Sequence, residues 1–205
     1  MTETRWLLRL AMASAVACAV AIPWIDHPLA AWLATRDTVP GAWNTTLSLF
    51  EYAIGIEPWR WLGTIVLVAG TLVTWAVPRW HRAAKPWLFV TLSHLIAVNV
   101  MLWGKLATGR LRPHEWNHHA EWWLHGSSFP SGHIALVGSM IVPLAVVFPR
   151  ARLPAAIFLA FVGCARIAVG AHWASDVFGG LVLVAIVTWA CAAIVRRVPW
   201  PATTA

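Results

Sequence analysis

The chain has 205 residues, of which 60% are hydrophobic and only 11% are charged. Soluble domains carry about 25% charged residues, so this composition excludes an ordinary water-soluble protein and indicates an integral membrane protein. The net charge of +7 could suggest a nucleic-acid partner, but the placement of the charges, described below, argues against one.

Six continuous apolar runs are each near the roughly 17–25 residues needed to cross a bilayer as a helix. A β-barrel would instead show alternation within segments of about ten residues. We therefore predict an all-α polytopic membrane protein, with residues 1–205 forming one domain and six transmembrane helices forming one bundle. The predicted spans are Trp6–Trp24, Trp61–Val77, Trp87–Trp103, Ser131–Phe148, Pro154–Val169 and Ser175–Val195.

The first apolar run has a second interpretation. Arg5 and Arg9 precede it, and Ala19-Val20-Ala21 loosely resembles a signal-peptidase cleavage site. The run is predicted as a membrane span, with a cleaved signal peptide as the alternative.

The segment between the first two spans is predicted to contain an amphipathic helix. Within residues 41–55, apolar side chains recur at helical spacing at Trp43, Leu47, Phe50 and Ile54. Such a pattern is typical of a helix that lies on a membrane surface, here the outer one. A poorly ordered loop is the alternative.

Tryptophan is abundant, with 16 residues, and many lie at the ends of apolar runs. Amphipathic rings favour the headgroup zone, so we interpret them as an interfacial aromatic belt. They are Trp24, Trp61, Trp80, Trp87, Trp103, Trp122, Trp123, Trp173 and Trp200.

The cations are divided unevenly between the two predicted sides of the membrane. One side carries nine of the fifteen Lys and Arg and one acid, and the other carries six cations and seven acids. By the positive-inside rule, the first side and both termini are cytoplasmic. These nine cations are spread over short loops, so no basic face for nucleic acid is needed.

The first of three informative fragments is Lys105 with Arg112-Pro113, at the end of the third span. Long cations at this depth commonly extend to the interface, and for Lys105 or Arg110 alone this snorkelling is the better interpretation. Pro113 stops the helix and orients the chain behind Arg112.

The second fragment, Pro130-Ser131-Gly132-His133, opens the fourth span. A helix start offers free N–H groups and a positive dipole end, which together suit an anion. Gly132 would allow a phosphate to approach the backbone closely. The plain alternative is a simple helix cap.

The third fragment places Arg166 at the end of the fifth span, and His172 and Asp176 at the start of the sixth. A guanidinium at the edge of the apolar zone is a functional candidate. His172 and Asp176 are four residues apart, so one helical turn would pair them. The carboxylate could then hold one ring N–H and leave the other nitrogen free to attack. A structural hydrogen bond is the alternative.

The predicted topology brings these fragments to the same side. The loops after the third and fifth spans, residues 104–130 and 170–174, both emerge on the extracytoplasmic face. The three fragments therefore predict one pocket that holds cations, histidines and a carboxylate.

In order, the fragments K-x6-R-P, P-S-G-H and R-x5-H-x3-D resemble the three-part signature of the type 2 phosphatidic acid phosphatase superfamily. The signature spans Lys105 to Asp176. One departure is Ala165, where many members of the family have serine before the third-motif arginine.

The resemblance implies a role for each residue. Lys105, Arg112, Arg166, Ser131 and Gly132 would bind the phosphate. His172 would be the nucleophile and form a phosphohistidine, Asp176 would orient it, and His133 would be the general acid. No metal and no other cofactor are expected.

A histidine-rich loop offers a rival site. His114, His118, His119 and His125 lie before Pro130, and four imidazoles could bind zinc. The His118-His119 doublet is not a strong ligand spacing, however, and no cysteine supports it. We interpret the loop as interfacial.

The combined prediction is a membrane-embedded lipid phosphatase of the bacterial inner membrane, with its site on the extracytoplasmic face. Its partner is a lipid phosphate: undecaprenyl diphosphate, phosphatidic acid, phosphatidylglycerophosphate or lipid A, of which a polyprenyl diphosphate or a glycerolipid is favoured. A lipid-to-lipid phosphotransferase would use the same residues and is the nearest alternative. A transporter or structural membrane protein is the alternative from another class.

Overall fold

The computed structural model describes residues 4–35, 45–46, 61–117 and 121–197. Within these ranges the regular structure is helical, without strands, which confirms the all-α prediction. Seven α-helices are described from end to end: α1 (Arg5–Trp24), α2 (Asp26–Ala34), α3 (Leu62–Ala76), α4 (His81–Thr108), α5 (Gly132–Val147), α6 (Arg152–Ala168) and α7 (Ala174–Arg197).

In the described part of the chain, four helical segments are long and apolar enough to cross a membrane: Arg5–Trp24, Pro78–Glu115, Pro149–Ala168 and Ala174–Arg197. Helices α3 and α5 are apolar but have only 15 and 16 residues. At about 1.5 Å per residue they extend roughly 22–24 Å, less than the ~30 Å hydrocarbon core. A complete set of six spans therefore stays a prediction.

The predicted surface helix over residues 41–55 lies outside the described residues, except for Thr45 and Thr46, which are helical. The single-domain assignment of residues 1–205 also stays a prediction.

Helix α2 is an element that the sequence analysis missed. It follows α1 after the single turn residue Ile25 and begins at Asp26. Nine residues opening with Asp-His-Pro resemble a turn more than a helix, because the segment is short and carries early polar residues. The consequence is that Asp26 is carried to the end of the bundle and is 1% exposed.

Helix α7 lies at the centre of the bundle and packs against α1, α4 and α5. The core is formed by branched and aromatic side chains from these helices, including Leu7, Phe89, Ile134 and Val184. Apolar contact across several helices fixes the relative position of their ends, and the site is built at those ends.

Two glycines set the local geometry near the site. Gly109 ends α4 with φ +51°, and its N–H donates to the Lys105 carbonyl at 2.9 Å. This left-handed cap ends the helix after Thr108, so Lys105 lies in its last turn. On α7, a Cβ at Gly179 would lie 2.5 Å from the Phe129 ring, so only glycine admits this contact.

Candidate active site

The three sequence motifs meet at one end of the bundle, as the topology predicts. The ends of α4 and α6 and the starts of α5 and α7 all lie there. The Ser131 N–H donates to the Asp176 carbonyl at 3.0 Å, which joins the second motif to the third. His114 Nδ1 lies 3.0 Å from the Gly170 carbonyl, which joins the loop after α4 to the loop after α6.

Lys105 and Arg112 converge on Ser127. The Lys105 ammonium donates to the Ser127 carbonyl, and Arg112 Nη2 lies 3.5 Å from Ser127 Oγ. Lys105 Nζ is also 3.9 Å from the position that a Cβ would take at Gly132. Two predicted phosphate-binding cations therefore lie beside the start of α5.

Ser131 differs in one respect from the predicted cradle. Its N–H was expected to face the phosphate, but it donates to the Asp176 carbonyl instead. Its hydroxyl is buried and has no hydrogen-bond partner in the described part of the chain. A buried unsatisfied hydroxyl is costly unless a ligand completes it. The hydroxyl and the first N–H groups of α5 are thus the groups left for an anion.

His172 and Asp176 form the pair that their spacing predicts. His172 Nδ1 lies 3.4 Å from Asp176 Oδ2, and the same oxygen accepts the Trp173 N–H at 2.9 Å and the Ser128 hydroxyl. The carboxylate is held by several donors, so it is well placed to orient the ring.

His172 is 3% exposed, and this burial governs its protonation. Burial lowers the pKa of His172 to about 4, because it penalises the charged ring. Asp176 opposes this shift, while the nearby cations Lys105 and Arg166 add to it. At neutral pH the imidazole is therefore neutral, which is the state that a nucleophile needs.

Arg166 lies at the end of α6, near enough to His172 to act on its charge, and His133 lies at the start of α5. The Arg166 carbonyl accepts the N–H of Ala171 at 3.1 Å and of His172 at 3.2 Å, so the end of α6 shapes the turn that carries His172. His133 is half-buried in the first turn of α5. Their predicted roles, in phosphate binding and as general acid, stay predictions.

Arg110 corrects the sequence interpretation. It was expected to extend towards the interface, but it is 0% exposed. Nη1 donates to Ser175 Oγ at 2.6 Å and Asp176 Oδ1 at 2.8 Å, and Nη2 donates to Asp26 Oδ2 and Glu121 Oε1, both at 2.8 Å. Three acids attract this guanidinium inward, which the spacing of the motif alone does not reveal.

Two indole rings close over the Arg110 guanidinium. Arg110 Cζ lies 4.2 Å from the ring centroid of Trp122 and 4.9 Å from the ring centroid of Trp173. Cation–π contacts of this kind strengthen when they are desolvated. Trp173 is 1% exposed, so its assignment to the interfacial belt is wrong, whereas Trp123 is 76% exposed, as an interfacial residue would be.

The acids Asp26 and Glu121 also lie at the end of the bundle that holds the candidate site, and the sequence analysis missed them. Glu121 Oε2 lies 2.6 Å from His27 Nε2, and His27 stacks on Trp116 with 4.5 Å between ring centroids. The sequence signal that could have identified Asp26 is its charge, because a single Asp directly after the first apolar run is costly unless it is paired.

Two apolar spaces adjoin the site. A cavity of about 190 Å³ lies between α2 and the turn that carries His172. A larger groove of about 590 Å³ runs between α1, α4 and α7 and reaches Gly104 and Pro130, the neighbours of Lys105 and Ser131. Small side chains on α1 leave this second space open, notably Ala15 and Ala19.

The rival zinc site receives no geometric support in the part of the chain that the structure describes. No group of three or more His, Cys, Asp and Glu that could hold a metal ion occurs there. His118 and His119 lie outside the described residues.

An all-helical bundle with a buried His–Asp pair beside several cations is the arrangement expected of a phosphoryl-transfer protein. The family model of the PAP2 superfamily matches residues 83–200. The chain belongs to this superfamily, the type 2 phosphatidic acid phosphatases that the three motifs predict.

Two curated relatives are similar to this chain. A lipid A 1-phosphatase of Rhizobium etli is 31% identical over 177 residues, which cover 78% of this chain and 72% of the relative. A lipid A 1-phosphatase of Rhizobium johnstonii is 35% identical over 113 residues, covering 47% of this chain and 46% of the relative. No solved structure matches the chain significantly.

Proposed function

We propose that this protein is a membrane lipid phosphatase that hydrolyses the sugar-linked phosphate of a lipid A-type saccharolipid through a phosphohistidine. The observation that carries the proposal is the buried His172–Asp176 pair beside Lys105, at the top of an apolar groove. The names of the two relatives support the substrate class.

The groove is the feature that favours a lipid over a soluble phosphate. Gly104 and Pro130 lie at its end, and each is next in sequence to a residue of the phosphate cradle. A lipid whose phosphate is bound at Lys105 and Ser131 would have its acyl chains at this opening. Burying apolar chain in such a space is favourable by about 25 cal/mol per Å².

The first chemical step is attack by His172 Nε2 on phosphorus. An N–P bond forms while the P–O bond to the leaving sugar breaks, and His133 gives its proton to that oxygen. Lys105, Arg112 and Arg166 balance the charge on the transferring phosphoryl group, which is the main catalytic demand.

The second step returns the enzyme to its starting state. Water attacks phosphorus, His133 takes the water proton, and the N–P bond breaks to release inorganic phosphate. Asp176 keeps the Nδ1 proton of His172 in place through both steps. Because cations supply the electrostatic stabilisation, we expect full activity after exhaustive chelation.

The site is proposed to face the extracytoplasmic side of a bacterial inner membrane, with both termini in the cytoplasm. Asn117 and Arg150 are exposed at opposite ends of the bundle. In a variant without native cysteines, Asn117→Cys in intact spheroplasts should react with a membrane-impermeant maleimide, and Arg150→Cys should not. The reverse pattern would contradict this orientation.

The direct test is a phosphate-release assay of purified protein with four lipids: lipid A, undecaprenyl diphosphate, phosphatidic acid and phosphatidylglycerophosphate. We expect lipid A to be preferred by about 100-fold in kcat/KM, roughly 2.7 kcal/mol, and His172→Ala to be inactive. Preference for another lipid would reject the substrate. Phosphate appearing only on an added lipid acceptor would establish the phosphotransferase instead.

A further inference from the structure

The Arg110 cluster, defined as Arg110, Asp26, Glu121, Ser175 and Asp176, shares Asp176 with the His172–Asp176 pair, and its other four members have no role in the steps above. It joins α2, the loop after α4 and the start of α7. Its members are between 0% and 6% exposed. A buried charge cluster of this size needs an explanation, because desolvating ions is expensive.

We propose that Arg110 and Asp26 are positioning residues: Arg110 fixes the Asp176 carboxylate at the angle that aims His172, and Asp26 holds Arg110 and the start of α7 in place. This inference rests on the proposed function of His172 and adds residues that act through Asp176.

The two carboxylate oxygens of Asp176 have separate duties. Oδ2 receives the donors from Ser128, Trp173 and His172. Oδ1 receives Arg110 Nη1 at 2.8 Å. Among the contacts of the described residues, Arg110 is thus the donor that holds Oδ1, and together with the donors on Oδ2 it restrains rotation of the carboxylate about its bond to the chain. A planar fork suits this purpose, because its N–H groups point in fixed directions.

Asp26 acts on the residue next to Asp176. Its Oδ1 accepts the Ser175 N–H at 3.0 Å, and its Oδ2 accepts the Ser175 hydroxyl and Arg110 Nη2. A carboxylate on the first N–H groups of a helix stabilises that end. Asp26 therefore caps α7 from another helix and sets where Ser175 and Asp176 stand.

The charge balance supports a positioning role over simple neutralisation. Three carboxylates surround one guanidinium, which is more than the neutralisation of a single arginine requires. Burial raises the pKa of Asp26, against the hydrogen bonds from Ser175 and Arg110. Asp26 and Glu121 hold Nη2 of Arg110, and Asp176 holds Nη1, so the guanidinium is held from two directions. This restricts the movement of Arg110 relative to Asp176.

The test compares Arg110→Gln, Arg110→Lys and Asp26→Asn in the full-length protein in detergent. For each variant we would measure kcat and KM on the preferred lipid, the Kd of inorganic phosphate, and the His172 tautomer by ¹⁵N NMR. The matched control is Ser139→Ala, which removes a buried hydrogen bond to His94 inside the membrane-embedded part.

We expect Arg110→Gln to lower kcat by about 100-fold, the loss typical of a small misplacement of a reacting group. Phosphate affinity should stay within about threefold, because the substitution leaves the proposed phosphate-binding cations Lys105, Arg112 and Arg166 in place. His172 should lose its single Nδ1–H tautomer. Arg110→Lys restores the charge without the fork and should recover part of kcat, and Asp26→Asn should cost about tenfold.

An unchanged kcat and tautomer in folded Arg110→Gln or Asp26→Asn would overturn the proposal. So would kcat and phosphate affinity falling together with the folded fraction, as in a structural defect. Asp26→Asn keeps the inference testable if Arg110→Gln fails to fold. If the wild type releases phosphate from no lipid, the proposed function fails, while the tautomer and phosphate affinity still test the positioning.

Discussion

The neutral state of His172 is the central electrostatic feature at the scale of single residues. Three nearby groups act on it: Asp176 favours the imidazolium, and Lys105 and Arg166 oppose it. Burial is the largest influence, so the ring stays neutral beside a carboxylate. In the proposed mechanism this arrangement would supply a free ring nitrogen at neutral pH and leave Asp176 to stabilise the charge that develops during attack.

A histidine titration checks this directly. In ¹⁵N-histidine protein, with the His172 signals assigned from His172→Gln, we expect a midpoint well below pH 5, because the pKa is near 4. The unfolded ring titrates near 6.5. Stability should therefore be highest above about pH 6.5 and fall as the pH drops towards 4, since the unfolded chain binds the proton first.

A midpoint near pH 6.5 in folded protein would contradict the burial argument. Asp176→Asn supplies the matched comparison. Without the carboxylate the His172 midpoint should move further down, since Asp176 is the group that favours the charged ring. An upward shift would show that Asp176 is not coupled to it in the manner described.

At the scale of elements, α7 and the segment before α5 are joined by close contact at Gly179. A Cβ there would lie 2.5 Å from the Phe129 ring. Phe129 precedes Pro130 and Ser131, so a displacement of its ring would also displace Ser131, a predicted phosphate-binding residue. Gly179 therefore couples helix packing to the site.

Replacing Gly179 by Ala should lower the stability of the protein by about 1–3 kcal/mol through overpacking. It should also lower kcat. Gly70→Ala is the matched control, because its Cβ would meet the Trp87 ring at 2.3 Å between α3 and α4, away from the site. The control should lower stability and leave kcat unchanged. Equal effects of both variants on kcat would reject the coupling.

The elements also show what the sequence could supply. Motif spacing predicted Lys105, Ser131 and His172 at one end, and the structure brings them there. The motif spacing missed α2 and misjudged Arg110, because two of the three acidic partners of Arg110 lie 84 residues before it, at Asp26, and 66 residues after it, at Asp176. Burial of a cation depends on such distant acids, and no local pattern encodes them.

For the molecule as a whole, three helices combine to form the apolar groove beside the site. Its walls come from α1, α4 and α7, and Ala19 lies on its α1 side. A groove of about 590 Å³ that opens beside a cationic cradle suits the acyl chains of a lipid whose phosphate is in that cradle. This combination links the membrane fold to substrate choice.

Filling the groove should therefore discriminate by chain length. We expect Ala19→Phe to raise KM for a long-chain lipid phosphate by about tenfold, or 1.4 kcal/mol, and to leave a short-chain, water-soluble analogue unaffected. Ala160→Phe, at an exposed position on α6 outside the groove, is the control. Equal losses with both substrates would mean that the acyl chains lie elsewhere.

Trapping the covalent intermediate is the decisive measurement of the proposed role of His172. Protein mixed with lipid substrate labelled with ³²P at the phosphate would be quenched in alkali within one turnover, digested, and sequenced by mass spectrometry. We expect labelled phosphohistidine at His172, absent in His172→Ala. Label at His133, or steady phosphate release with no labelled histidine, would contradict it.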